Sequence, residues 1–206
     1  MKEIAKDLLD IKAVKLSPDQ PFTWASGIKS PIYCDNRLTI SYPKIRTAIA
    51  KGIASLIKEK YPETEVIAGT ATAGIPHAAW IAAELELPLV YVRSKPKDHG
   101  RGKQIEGVLA KGAKTVVIDD LLSTGGSVLK AVEAARKEGA DVIGVGAIFS
   151  YQLPAIEDNF KQAGLTYFTL TNYSELLEVA VKENEITEKE HEVLKTWRED
   201  PKNWGK

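Results

Sequence analysis

TVVIDDLLSTGGS, residues Thr115–Ser127, is the stretch whose reading decides the fold. Thr115–Ile118 is β-branched and apolar enough for the inside of a sheet. Asp119 and Asp120 fall at the carboxyl end of that strand, where open α/β sheets bind ligands. Ser123, Thr124, Gly125, Gly126 and Ser127 then offer successive backbone N–H groups and hydroxyls, and the helix that follows adds its positive end. Such a loop holds a phosphate. Both glycines are expected to take positive φ and let the backbone approach an anion closely. Taken singly, two acids ending a strand describe a solvated turn, and a Ser/Thr/Gly run describes a loop. Joined in this order they form a specific signal for a phosphorylated sugar, with the acids facing hydroxyls or a divalent metal.

Two better-known phosphate motifs do not fit. A Walker loop needs Gly-Lys-Ser/Thr, and after Gly102-Lys103 comes Gln104. Gly144-Val145-Gly146 lacks the third glycine of a dinucleotide fingerprint and reads as close packing within a strand.

Working outward, strands Val66–Gly69, Leu89–Arg93, Thr115–Asp120, Val142–Phe149 and Thr166–Leu170 alternate with helices Ile75–Leu85, Ser127–Glu138 and Pro154–Ala163. That alternation predicts an α/β fold with a parallel central sheet flanked by helices. Before it come a helix over 2–12, short strands Phe22–Ala25 and Ile32–Asp35, and a helix capped by Ser41 with Pro43 in its first turn. Helices near 173–182 and 187–197 close the chain. The expected organisation is one domain over 1–206, with a small N-terminal hood (1–40), an α/β core (41–182) carrying a lid loop (94–107), and a C-terminal helix and tail (183–206).

Composition sets outer limits. Lys plus Arg equals Asp plus Glu at 28 each, which argues against a nucleic-acid or membrane partner. Cys34 is the only cysteine, so no internal disulfide forms, and it reads as a small buried residue. MKEIAKDLLD carries acids and no signal-peptide core, so the expected home is the cytoplasm.

Residues 93–107, RSKPKDHGRGKQIEG, concentrate five cations, Arg93, Lys95, Lys97, Arg101 and Lys103, against Asp98 before the acidic end at Glu106. Gly100, Gly102, Gly107 and Pro96 argue against regular structure. A long charged loop is either a solvated surface feature or a functional lid. Its coincidence with a phosphate motif favours the lid, whose mobile cations would bind a polyanionic leaving group and exclude water.

The Asp119–Ser127 segment resembles the 5-phosphoribosyl-1-pyrophosphate (PRPP) motif of type I phosphoribosyltransferases. Lys97-Asp98-His99-Gly100, four residues after Arg93, resembles the catalytic loop of the orotate phosphoribosyltransferase family. FTWASGIKSPIYCDNR (Phe22–Arg37) resembles its orotate-side segment, and GTATAGIP (Gly69–Pro76) its pyrophosphate-side loop. The matches run in family order and cover most of the chain. The resemblance implies a type I phosphoribosyltransferase fold and transfer of the phosphoribosyl group from PRPP to orotate. It also implies a homodimer in which each lid serves the neighbouring subunit.

Carried over residue by residue, it assigns Lys97, His99, Asp119 and Asp120 to catalysis. PRPP would be bound by Arg93, Lys97, His99, Asp119, Asp120, Leu121, Leu122, Ser123, Thr124, Gly125, Gly126 and Ser127, with Ser123 also approaching orotate. Lys97 would stabilise the departing pyrophosphate, with His99 as proton donor or hydrogen-bond partner. Mg²⁺ is the implied cofactor, held mainly by substrate oxygens and water. In an ideal strand Asp119 and Asp120 point opposite ways, so the chain must twist there. The sequence departs from the family pattern at Ala25, Ala73 and Ser94, where lysine is common, and at Tyr151, near a position often held by an orotate-contacting arginine. Lys95 or Lys29 is available to supply some of the charge missing at those positions. For the orotate carboxylate no side chain is assigned, the alternatives being backbone N–H groups around Ser26–Lys29 and, more remotely, Arg37. His77 reads as a cap or packing residue, His191 as solvated and Trp80 as core; Trp197 and Trp204 read as packing the tail. A phosphoribosyltransferase for another base and a non-catalytic PRPP-sensing regulator are the alternatives.

Overall fold

The computed structural model describes residues 2–24, 27–96 and 103–204. Helix α1 (Lys2–Asp10) is followed by four short strands: β1 (Val14–Leu16), β2 (Phe22–Thr23), β3 (Lys29–Ser30) and β4 (Ile32–Cys34). After a 3₁₀ turn at Asn36–Ser41 come α2 (Pro43–Lys60), β5 (Val66–Thr70), α3 (Gly74–Leu85), β6 (Leu89–Val92) and β7 (Ile105–Glu106). The chain continues through β8 (Lys114–Ile118), β9 (Leu121–Leu122), α4 (Gly126–Lys137), β10 (Asp141–Ser150) and α5 (Pro154–Gln162). It ends with β11 (Tyr167–Asn172), α6 (Tyr173–Lys182) and α7 (Glu188–Trp197).

The main sheet runs β11-β10-β8-β5-β6-β7, with β9 paired to β10. Its pairings are parallel except β6 with β7. Alternation along the strands sends side chains into two cores. Ile67, Val116 and Ile118 join a cluster with residues of α1, α2, α3, α6 and α7. Ala68 and Val117 join a second one with Val128 and Val132 of α4 and Ile156 and Phe160 of α5. The expected parallel sheet covered on both faces is therefore present. Gly144 and Gly146 do mark close packing: a Cβ on Gly146 would lie 2.6 Å from the Phe168 ring, and one on Gly144 would meet the Tyr61 ring.

Several local expectations are corrected. Ser41 ends the 3₁₀ turn and does not cap α2; Tyr42 occupies the N-cap without a side-chain bond, and Pro43 starts the helix. Trp80 is half-buried and packs against the edge of the core, its outer side covered by the Arg46 guanidinium 5.0 Å away. His191 is not solvated: its side chain is 17% exposed, with Nδ1 3.4 Å from a Glu192 oxygen. His77 is a packing residue as read; burial lowers its pKa to about 4, and Nε2 lies 3.4 Å from the Thr39 hydroxyl. Cys34 is buried.

Candidate active site

Strand order reverses beside β5. The chain places β6 on one side of it and then returns to place β8 on the other. The crevice at the carboxyl ends of β5 and β8 is thus a topological switch point, where α/β sheets bind ligands. Thr70 ends β5 and Asp119 follows β8, and the Thr70 hydroxyl donates to Asp119 Oδ1 at 2.7 Å. The backbone N–H of Asp120 donates to the same oxygen at 2.9 Å. Asp119 N still bonds Gly146 O at 3.0 Å, and the next strand segment, β9, pairs with β10 further along. Between them the chain leaves the sheet at Asp120, whose carbonyl accepts a bond from Asn36 Nδ2 at 2.7 Å.

Both carboxyls are held above the ordinary carboxylate range. Burial is the main cause for Asp119, opposed by the bonds from Thr70 and the Asp120 N–H. Asp120 is raised to about 7 by burial first and by the Asp119 charge second. Hydrogen bonds, not a neighbouring cation, are what oppose these shifts. An acid pair of this kind gains most from an arriving cation or from hydroxyl donors.

The loop between β5 and α3 presses against the acids. A Cβ on Gly74 would sit 2.5 Å from both Ile118 O and Thr70 Oγ1 and 3.3 Å from Asp119 Cα. The peptide Ala71–Thr72 in this loop is cis. On the other side, Thr124, Gly126 and Ser127 are exposed and Ser123 is half-buried, while no side chain caps α4. First-turn N–H groups without a cap are the donors an anion uses. Gly125 has φ +80°, and a Cβ there would lie 2.7 Å from the Phe160 ring. Gly126 is not in the positive-φ region, so only one of the two glycines is needed for that conformation. Asn159 Nδ2 on α5 fixes the loop by donating to Thr124 O at 2.8 Å. Leu122 is buried and Leu121 half-buried in β9, so Leu122 can offer a ligand only its backbone.

A cavity of about 340 Å³ adjoins this loop, lined by Thr23, Trp24, Tyr33, Cys34, Leu121, Ser123 and Tyr151. Ser123 is common to the cavity and the loop that leads into α4. Trp24 and Tyr151 pack with ring centroids 5.0 Å apart and planes tilted by 42°, and Trp197 meets them edge-on at 5.6 and 5.9 Å. Trp197 is fully buried and its Nε1 donates to Lys29 O at 3.1 Å, so α7 closes the back of the hood. Trp197→Phe removes that bond while keeping most of the ring. It is expected to cost about 1 kcal/mol, as measured by chemical denaturation. A larger cavity, about 590 Å³, lies beside β11, and its lining includes no residue of the 115–127 segment.

The family model described as the phosphoribosyl transferase domain matches residues 41–175. Orotate phosphoribosyltransferase of Enterococcus faecalis is 64% identical over 205 residues, spanning 100% of this chain and 98% of the relative. The chain belongs to the orotate phosphoribosyltransferases. The counterpart from Listeria monocytogenes is 59% identical over the same share of each chain. Among solved structures, orotate phosphoribosyltransferase from Aeropyrum pernix is 27% identical with a TM-score of 0.75, covering 89% of this chain and 99% of that one. Leishmania donovani UMP synthase gives 0.81 at 30% identity, over 96% of this chain and 42% of that one.

As a member of this family of phosphoribosyltransferases, the chain is an enzyme with the type I fold. No described helix is long and apolar enough to cross a membrane. Arg93 follows β6, where Arg93 N bonds Gln104 O at 2.8 Å and Gln104 Nε2 bonds Arg93 O at 2.7 Å. Its guanidinium lies 3.7 Å from Glu106, beside the short antiparallel pairing of β6 with β7. Lys97, Asp98, His99, Gly100 and Arg101, like Ala25 and Ser26, lie outside the described residues. Arg37 is exposed and is engaged by Asp35 through bonds of 2.6 and 2.8 Å. Sequence reasoning did not single out Thr70, Asn36 or Asn159. Thr70 was just beyond the expected end of its strand, and the other two act across chain separations that periodicity does not reach.

Proposed function

We propose that the protein transfers the 5-phosphoribosyl group from PRPP to orotate, giving orotidine 5′-monophosphate and pyrophosphate in pyrimidine nucleotide synthesis. The observation that carries this reading is Ser123, which belongs both to the phosphate loop and to an aromatic-walled cavity sized for a small planar base. A nitrogen of orotate attacks the anomeric carbon, and the bond from that carbon to pyrophosphate breaks with its electron pair leaving on the pyrophosphate. No protein nucleophile is required, and charge develops as in glycosyl transfer generally. Residues 123–127 take the 5′-phosphate, and Asp119 and Asp120 face the ribose hydroxyls. Phosphoribosyltransferases in general use Mg²⁺ with PRPP, and the raised pKa values of the two acids suit a hard cation arriving with substrate. Among the described residues no three His, Cys, Asp or Glu side chains gather to hold a metal. Asp119 and Asp120 would therefore leave most positions on Mg²⁺ to substrate oxygens and water. When bound, the ion neutralises charge on the pyrophosphate.

Arg93, Lys97 and His99 are assigned to the pyrophosphate on the strength of the lid motif. They act across a homodimer interface in a cytoplasmic enzyme. Orientation and neutralisation of the leaving group then account for catalysis, with lid opening for release. Mixing protein, orotate, PRPP and magnesium is expected to consume the orotate absorbance, with uracil, adenine and hypoxanthine unreactive. Turnover of one of those bases in place of orotate would move the protein to another base specificity. Absence of turnover with all four would leave a PRPP-binding protein without transferase activity.

A further inference from the structure

Among the described residues the base cavity has no cationic side chain in its lining, although orotate carries a carboxylate. The arginines of the hood and tail are engaged: Arg37 by Asp35, and Arg198 by Gln152 and Ser174, each bond from Arg198 being 3.1 Å. Lys29 is placed differently. In the β2–β3 hairpin it pairs directly with Thr23, and its Nζ donates to the Thr23 hydroxyl at 2.8 Å. Thr23 lines the cavity. An ammonium has three donors and Thr23 takes one, while a hydroxyl that accepts from lysine still has its own proton to give. Among the described residues no carboxylate forms an ion pair with Lys29. Its backbone is fixed from behind, because Lys29 O accepts the bond from the buried Trp197 ring. The hairpin thus presents a held cation and an aligned hydroxyl at one edge of a cavity otherwise walled by aromatic rings, sulfur and a serine.

We propose that Lys29, together with the Thr23 hydroxyl, recognises the carboxylate of the base and sets the preference for a carboxylated pyrimidine over its uncharged parent. The inference rests on the reaction proposed above and names the residue that gives it specificity. A charge-assisted pair that the bound base shields from water is worth about 10- to 100-fold in affinity. It contributes equally before and during transfer, since the carboxylate does not change charge. The effect therefore falls on KM for orotate and not on kcat.

The test compares two nucleotides that differ only by that carboxylate, orotidine 5′-monophosphate and uridine 5′-monophosphate, bound to full-length wild type, Lys29→Met and Thr23→Val. Lys29→Met keeps the aliphatic stem and is expected to weaken orotidine monophosphate about 10- to 100-fold while leaving uridine monophosphate within about twofold. KM for orotate rises by a similar factor, with kcat and KM for PRPP within about twofold. Thr23→Val is expected to reproduce the ligand-selective loss in smaller measure. Equal weakening of both nucleotides would show a merely structural role, and no weakening of either would remove Lys29 from recognition; both overturn the proposal. Failure of the wild type to consume orotate would instead strike at the underlying reaction, which the comparison between variants does not measure.

Discussion

Asp120→Asn is expected to lower kcat/KM for PRPP by about 100-fold, or about 3 kcal/mol of transition-state stabilisation, while making the ligand-free protein more stable at pH 8. The two effects have one origin. Burial and the nearby Asp119 charge raise the folded-state pKa of Asp120 to about 7. Its unfolded value is that of an ordinary carboxylate, near 4. The folded protein therefore binds a proton that the unfolded chain has already lost between about pH 4 and 7. Stability from this group is fully present at lower pH and is lost as pH rises through 7. Asparagine has no charge to bury, and its amide can donate to Asp119. The expected gain at pH 8 is about 1–3 kcal/mol, several degrees in Tm, vanishing near pH 4. Thermal melts across pH 4–8 with parallel kinetics would check both halves. A variant as active as wild type, or one with no pH-dependent stability gain, would contradict the geometry of the acid pair.

Gly74→Ala is expected to be nearly as damaging by a different route. The added methyl would be 2.5 Å from a backbone carbonyl and from the Thr70 hydroxyl, neither of which is the end of a flexible side chain. Either the start of α3 or the end of β8 must move. Overpacking of this kind costs about 1–3 kcal/mol. A displacement on the order of 1 Å at the Asp119 backbone costs about 100-fold in rate even if substrates still bind. Gly126→Ala provides the contrast in stability. A Cβ there meets only Thr124 Oγ1 at 3.7 Å, and its φ is ordinary. Melting temperatures of the two variants should differ by several degrees, with Gly74→Ala the lower. Equal melting temperatures would mean that the β5–α3 loop yields more easily than its contacts indicate.

Much of this architecture was legible because local chemistry and global fold agree. β8 and β10 are apolar runs bounded by turn residues, and α4 follows a glycine that its entry conformation requires. The short strands β1, β3, β7 and β9 were missed, since two or three residues cannot display a period. The site was legible along the chain but not across it. Asp119, Asp120 and Ser123–Ser127 are consecutive, so one motif contains them. Thr70 becomes a partner of Asp119 only because β5 and β8 are neighbours, a fact of strand order. Asn36 reaches Asp120 across 84 residues to hold its carbonyl. Positive φ at Gly126 was expected from composition, whereas one left-handed residue suffices to turn the loop into the helix. His191 was read from its polar neighbours, which do not reveal how α7 folds back.

The wall behind the base cavity joins residues 24, 151 and 197, while the sheet and phosphate loop are complete well before residue 197. On the proposed roles, translation therefore delivers the sugar-phosphate grip earlier than the means of choosing a base. A chain interrupted between residues 183 and 196 would retain the grip yet have an unfinished selector.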